Sequence, residues 1–278
     1  MKNKNGISLV LSGGGARGLA HIGVLKTIDR LGIPITSICG CSMGGLIASL
    51  FALGFPIKEI EQIALKYSSM REMVKLVDLN PRRKGLIVGQ RYRAFLSKII
   101  SEEKSLENTL IPLYMNAVDL TTGSEVILEK GNLLDAILAT TAVPGVFTPL
   151  EGNNRILADG GILNNLPISI MQSRTENPIV AVDVHQVFTE SQPIVGLQNP
   201  FSFSLFPEFI REYYLAELIR VRKMTDLHLE KSPPDLLIQP SIDPNISLFF
   251  GFQKVKELIA AGEKAAQSAE SDFLSLLK

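Results

Sequence analysis

The segment Gly40-Cys41-Ser42-Met43-Gly44 places a serine between two glycines. An apolar run, Ile35–Cys39, leads into it, and a run of small residues, Met43–Leu53, leads away. A serine at a sharp strand-to-helix turn has its hydroxyl exposed, and glycines on either side let neighbouring backbone approach without a Cβ clash. The helix that follows would add free N–H groups and a partial positive charge near the reacting atom. Such an arrangement suits nucleophilic attack on a carbonyl. Ser42 is therefore the candidate nucleophile, with Gly40 and Gly44 framing its elbow; the competing reading is a plain structural turn.

A second cluster, Gly13-Gly14-Gly15-Ala16-Arg17-Gly18, follows the apolar run Ile7–Leu11 and precedes a helical pattern. As written it satisfies the glycine spacing of a dinucleotide-binding loop. That reading also requires a carboxylate about 20 residues on, at the end of the next strand, to hold a ribose. The next strand instead ends in Ile38-Cys39-Gly40-Cys41-Ser42, and no Gly-Lys-Ser/Thr follows the glycines to make a Walker loop. The cluster makes better sense as an oxyanion hole, with the Gly14 and Gly15 N–H groups facing the negative charge of a tetrahedral intermediate.

Ser42 needs a base, and several side chains compete for the role. His185 follows a strand late in the chain, so Ser42, Asp159 and His185 would match the order of an α/β-hydrolase triad. His21 lies on the first helix, where a lone histidine is more often a packing residue, and His228 sits in a polar helical tail. Asp159 stands at a strand end, before Gly160-Gly161. An aspartate, ordinarily near pKa 3.9, is a weak base in water and would act only through short, desolvated contact with the hydroxyl.

Taken in order, Gly-Gly-Gly-x-Arg-Gly, Gly-x-Ser-x-Gly and Asp-Gly-Gly resemble the three signature blocks of the patatin-like phospholipases, most closely over residues 7–55 and 139–184. The resemblance implies a Ser–Asp dyad without histidine, Ser42 as nucleophile and Asp159 as base. It assigns Gly13, Gly14, Gly15 and Arg17 to the oxyanion block, where Arg17 orders the loop. Cys41 stands where the family often has threonine or another small residue, a mild departure. The implied substrates are acyl esters of phospholipids, lysophospholipids or neutral lipids, with no metal and no cofactor; no calcium or zinc ligand spacing is apparent. The implied fold is α/β, a three-layer α/β/α sandwich with a mostly parallel central sheet. A module that senses acyl groups with little turnover is the rival function, and an intact Ser42, Asp159 and Arg17 speaks against it.

The elements that must position these residues alternate as βαβ units do. Strands are expected at Ile7–Leu11, Ile35–Cys39, Leu113–Val118, Glu125–Leu128, Arg155–Ala158, Pro178–Val184 and Leu236–Gln239. Helical spacing runs from Val24 to Leu31 and over Met43–Leu53, Pro56–Met70, Gln90–Ile100, Leu133–Val143, Glu208–Leu229 and Gly251–Leu277. No linker or repeat is visible, so residues 1–278 read as a single domain, with residues 188–278 forming a long loop and C-terminal helices packed on it. The loop carries Phe201, Phe203 and Phe206 among prolines and polar residues, which suggests a lid or an interfacial contact. Met43, Phe51 and Phe147 are further candidates to line an acyl channel.

Composition narrows the class. With 28 Lys and Arg against 28 Asp and Glu, the formal net charge is zero and gives no reason to expect nucleic acid as a partner. The short basic run Pro81-Arg82-Arg83-Lys84 reads as a solvated loop or a docking point for anionic headgroups. Cys39 and Cys41 are the two cysteines of the chain. In an extended segment their Cα atoms would lie roughly 6.5–7 Å apart, poor geometry for a disulfide. No signal-peptide pattern and no apolar stretch of roughly 20 residues occurs. The expectation is a cytoplasmic protein, peripheral at the membrane through transient contact with its surface. Oligomeric state is not encoded in these patterns.

Overall fold

A computed structural model describes residues 6–75, 89–152, 154–185, 208–248 and 251–277. Its centre is β1 (Ile7–Leu11), buried along its whole length. Ile7, Leu9 and Leu11 enter the larger of two apolar cores, while Val10 faces the smaller one on the other side of the sheet. A strand buried on both faces must read as a continuous apolar run, and this one does. Parallel neighbours flank it: β2 (Ile35–Gly40) on one side and β7 (Ile179–Val182) on the other. β8 (Leu236–Ile238) extends the sheet beyond β7, and β3 (Leu113–Asp119) extends it beyond β2, both again parallel.

The far side of the sheet is antiparallel. β4 (Ser124–Leu128) forms a hairpin with β3, and β5 (Leu150–Gly152) with β6 (Arg155–Asp159). The strand order is β5-β6-β3-β2-β1-β7-β8, with β4 on β3. Helices α1 (Ala20–Arg30), α2 (Met43–Ala52), α3 (Ile57–Tyr67), α4 (Met70–Lys75), α5 (Gln90–Leu96) and α6 (Leu133–Thr140) precede α7 (Ile168–Gln172) in the chain. α8 (Glu208–Lys231), α9 (Val255–Ser268) and α10 (Glu270–Leu276) follow it. Residues of α1, α2, α3, α6, α9 and α10 fill the larger core, and residues of α7 and α8 cover the opposite face. The architecture is the expected three-layer α/β/α sandwich around a mostly parallel sheet. Three elements escape the sequence patterns: α4, six residues long and beyond the expected helix Pro56–Met70, β5, three, and α7, five. All are too short to show a period. The expected helix at Gln90–Ile100 stops at Leu96.

One feature of the pairing decides where the site lies. Ala117 of β3 pairs with Val126 of β4 and Asp159 of β6, whereas Met115 pairs with Leu128 of β4 and Gly40 of β2. β4 therefore takes one edge of β3, while β2 and β6 share the other. Running in opposite directions, those two strands bring their C-terminal ends together opposite Asn116. Ser42 lies just past one end and Asp159 at the other.

The C-terminal region joins the same structure through α9, which crosses α1 where each has a glycine. A Cβ on Gly262 would lie 1.9 Å from the Ala20 carbonyl oxygen, and one on Gly23 would lie 2.0 Å from that of Ile259. Backbone atoms cannot swing aside as side chains do. Gly262→Ala is expected to destabilise the fold by about 3 kcal/mol, the upper range for overpacking. Chemical denaturation reads this, and an unchanged midpoint would show that the crossing tolerates separation.

Among the described residues, no helix is long and apolar enough to cross a membrane. The basic run at Pro81–Lys84, Phe201, Phe203 and Phe206 lie outside the described residues.

Candidate active site

Ser42 adopts φ 50°, ψ −123°, one of two non-glycine residues with positive φ among those described. Such a conformation costs on the order of 1–3 kcal/mol and persists only where the surroundings enforce it. They do so here through the two flanking glycines. A Cβ on Gly40 would lie 2.5 Å from the Gly44 carbonyl, and one on Gly44 would lie 2.5 Å from the carbonyl oxygens of Leu11 and Ser12. The first turn of α2 thus presses directly on the ends of β1 and β2, and the chain between them must bend sharply. The Ser42 N–H donates to Thr140 Oγ1 at 2.9 Å, which ties the elbow to the end of α6. Ser42 itself is 8% exposed.

Asp159 is buried beside Ser42, whose hydroxyl favours its ionised form. Asp159 Oδ1 accepts from the Gly161 N–H at 2.8 Å and from the Cys41 thiol at 3.6 Å. Burial pushes the carboxyl up to about 6, although all three neighbours pull it down. Gly160 lets the strand end sit tightly, since a Cβ there would lie 2.4 Å from Asn116 Oδ1. Burial also raises the Cys41 thiol well above its ordinary range, so the sulfur is a protonated donor rather than a nucleophile.

The glycine loop abuts the same point: a Cβ on Gly13 would lie 3.3 Å from Ser42 Cβ. Three of the loop's N–H groups are occupied, Gly13 by the Asn165 carbonyl at 3.0 Å, Ala16 by Leu248 at 2.7 Å and Arg17 by Gly14 at 3.0 Å. Those of Gly14 and Gly15 have no intramolecular acceptor among the described residues. Arg17 is buried, and its guanidinium donates to the carbonyls of Ile246 (2.9 Å) and Pro244 (3.0 Å). It thereby clamps the loop to residues 244–248, which no sequence pattern singles out. Gly15 needs its φ of 51° and touches the same segment, because a Cβ would lie 2.3 Å from the Leu248 carbonyl oxygen.

His21 and His185 contact groups other than Ser42. His21 is fully buried, its Nε2 2.8 Å from the Ser12 carbonyl, and burial pushes its pKa down to about 4. His185 Nδ1 lies 3.1 Å from Asn165 Nδ2, and burial lowers its pKa to about 4 against the attraction of Asp183. Asp183 is paired with Arg222 of α8 at 2.5 Å, both buried. Met43 and Phe51 pack against the larger core, and Phe147 tilts against Tyr92 with ring centroids 5.7 Å apart. Among the described residues no cluster of three or more His, Cys, Asp or Glu side chains could hold a metal.

All the residues expected from sequence therefore converge, Ser42, Asp159, Gly13, Gly14, Gly15, Arg17, Gly40 and Gly44. Thr140 and Asn165 also hold the site together, and sequence reasoning does not reach them. Neither stands in a pattern with chemical meaning, although Asn165 follows Asp159 closely enough to share its turn.

A strained serine elbow, a buried carboxyl beside it and an adjacent glycine loop meet where two strand ends of the mostly parallel α/β sheet come together. The sequence matches the family described as Patatin-like phospholipase over residues 9–171, more than half of the chain, and the protein belongs to that family. It is 30% identical to "Lysophospholipase NTE1" of Candida albicans, over 97% of this chain and 20% of that protein. To an "Uncharacterized NTE family protein" of Mycobacterium tuberculosis it is 25% identical, over 95% of this chain and 46% of the other. "Patatin-like phospholipase domain-containing protein 6" of Mus musculus is 30% identical over 65% of this chain and 14% of its own length. The chain thus spans less than half the length of these relatives. Among solved structures, VipD from Legionella pneumophila is similar over 93% of this chain and 67% of that one, with a TM-score of 0.47 at 15% identity.

Proposed function

We propose that the protein hydrolyses carboxylic esters of lipids by acyl transfer through Ser42. The observation that carries this reading is a strained serine elbow set beside a buried carboxyl, Asp159, whose pKa the Ser42 hydroxyl helps to lower. In acylation Asp159 takes the hydroxyl proton, Ser42 Oγ bonds to the carbonyl carbon, and the tetrahedral oxyanion rests against the Gly14 and Gly15 N–H groups. The ester C–O bond then breaks, and the leaving alkoxide takes the proton from Asp159. In deacylation water attacks the acyl-Ser42 ester and gives a proton to Asp159. Collapse frees the fatty acid and returns that proton to Ser42. Gly13 and Arg17 keep the loop in place, while Gly40 and Gly44 enforce the elbow.

Phospholipid or lysophospholipid is the proposed substrate class, in keeping with the family and with the lysophospholipase name of the Candida relative. Transient contact with a membrane surface follows from such a substrate. We also read the whole chain as one domain, supported by the pairing of β8 with β7 and the packing of α9 on α1.

A base whose pKa is raised to about 6 dictates the pH profile. Asp159 accepts a proton only when ionised, so kcat/KM should climb about tenfold per unit below pH 6 and level off above it. A short p-nitrophenyl ester suits the measurement. Labelling of Ser42 by a fluorophosphonate should follow the same curve. A protein that neither labels at Ser42 nor hydrolyses any lipid ester would leave the acyl-sensing alternative in possession.

A further inference from the structure

The proposed cycle leaves one requirement unmet. The water that attacks acyl-Ser42 must present its lone pair to the carbonyl carbon while giving one proton to Asp159. Its second O–H needs an acceptor, or the water is free to rotate out of line. A misplaced nucleophile costs about 10²-fold in rate.

Asn165 is placed to meet that need. The residue is 5% exposed. Its side-chain nitrogen is committed, donating to His185 Nδ1 at 3.1 Å and, through a longer contact of 3.5 Å, to the Gly13 carbonyl. Burial keeps His185 neutral, so its Nδ1 can accept that N–H. With the nitrogen fixed, the amide oxygen must point the opposite way, and it does so into the gap between the glycine loop and the Asp159 turn. A Cβ on Gly13 would lie 2.4 Å from Asn165 Oδ1 and 3.3 Å from Ser42 Cβ. A Cβ on Gly161 would lie 3.0 Å from Asn165 Oδ1 and 3.1 Å from Asp159 Oδ1. The amide oxygen therefore shares Gly161 with the Asp159 carboxylate and Gly13 with Ser42. Among the described residues no group donates to that oxygen, yet it is not one of the sealed, unpartnered polar atoms of the interior.

Resting on the reading of Ser42 and Asp159 as nucleophile and base, we propose that Asn165 Oδ1 is the second acceptor for the hydrolytic water. Asn165 thereby serves deacylation rather than acylation. The water donates one hydrogen to Asp159 and one to Asn165, which leaves its lone pair facing the acyl carbon. His185 acts through Asn165 by fixing the amide the right way round, and is a positioning residue.

The test separates the two half-reactions. Asn165→Ala removes the acceptor but keeps the backbone bond from the Gly13 N–H to the residue 165 carbonyl, so the glycine loop stays supported. With a short-chain p-nitrophenyl ester, kcat should fall about 10²-fold while kcat/KM, which reports acylation, stays within a few-fold. Product release should show a burst approaching one equivalent, and intact mass should show acyl-Ser42 accumulating. Asn165→Asp keeps an oxygen acceptor at the same place. It should turn over without accumulating adduct, its acid limb moved up by repulsion between the two carboxylates. Parallel loss of kcat and kcat/KM in Asn165→Ala with no adduct would overturn the proposal, leaving Asn165 a prop for the loop. So would an adduct in Asn165→Asp as large as in Asn165→Ala. Failure of the underlying reading has another signature: the wild-type protein would then leave Ser42 unmodified by a fluorophosphonate.

Discussion

Ser42→Ala and Asp159→Asn should each abolish ester hydrolysis, lowering kcat on the order of 10⁴–10⁶-fold, and the double variant should be scarcely worse than either alone. In the proposed mechanism nucleophile and base act as one unit, so their losses would not add. The two variants should part company in stability. Asp159 holds its proton more tightly in the folded protein than in the unfolded chain, with a pKa of about 6 against the ordinary 3.8. A raised carboxylate contributes stability that is fully present below its unfolded pKa and is lost as pH rises through the folded one. Across that window the wild type gives up about 2–3 kcal/mol. Asparagine has no charge to bury and keeps an oxygen for the Gly161 N–H and the Cys41 thiol. Asp159→Asn should therefore be more stable than wild type above pH 6, the gap closing below pH 4. Denaturant unfolding at pH 4 and pH 7.5 measures it. An Asp159→Asn protein that still hydrolyses esters at the wild-type rate would remove Asp159 from the mechanism.

Gly14→Ala is expected to reduce kcat about 10²–10³-fold, the usual cost of losing one oxyanion donor, with KM much less affected. A left-handed backbone is not the cause, since the Gly14 φ of 163° lies outside the region that favours glycine. The added methyl would instead lie 2.5 Å from Val184 Cγ2, a buried and branched side chain with little freedom to move. The loop must shift, and its N–H groups shift with it. This assigns the defect to one contact, so Val184→Ala in the same chain should recover a large part of the lost rate. Absence of any recovery would mean that the loop is displaced for another reason. Gly15→Ala is a harsher change, because it opposes both a left-handed φ of 51° and the backbone carbonyl of Leu248, and no second substitution can relieve it.

Much of this site is legible in the order of the residues. Ser42 stands out because an elbow needs glycines two residues to either side, and the fold makes the reason concrete: Gly44 lies against the Leu11 and Ser12 carbonyls. Gly14 and Gly15 stand out because free N–H groups at a strand end call for residues without side chains. The central strands announce themselves too, since burial on both faces leaves an unbroken apolar run such as Ile7–Leu11.

The partner of Ser42 is a different matter. The residues alone leave Asp159 and the histidines in competition, and only the resemblance to a family chooses between them. Local sequence carries no record of which strand ends meet. That is decided by β3, whose single edge is shared by β2 and β6 running in opposite directions, so that residues 117 positions apart in the chain face each other beside Asn116. Tertiary packing likewise raises Asp159 toward neutrality, turns His21 and His185 into uncharged packing partners, and sets the Ile246 and Pro244 carbonyls where Arg17 can reach them. Motifs and periodicity are local properties of the chain, and they suffice to mark which residues could do chemistry. Which of them touch, and with what proton affinity, only the folded structure decided, because contact and desolvation arise between segments far apart in sequence.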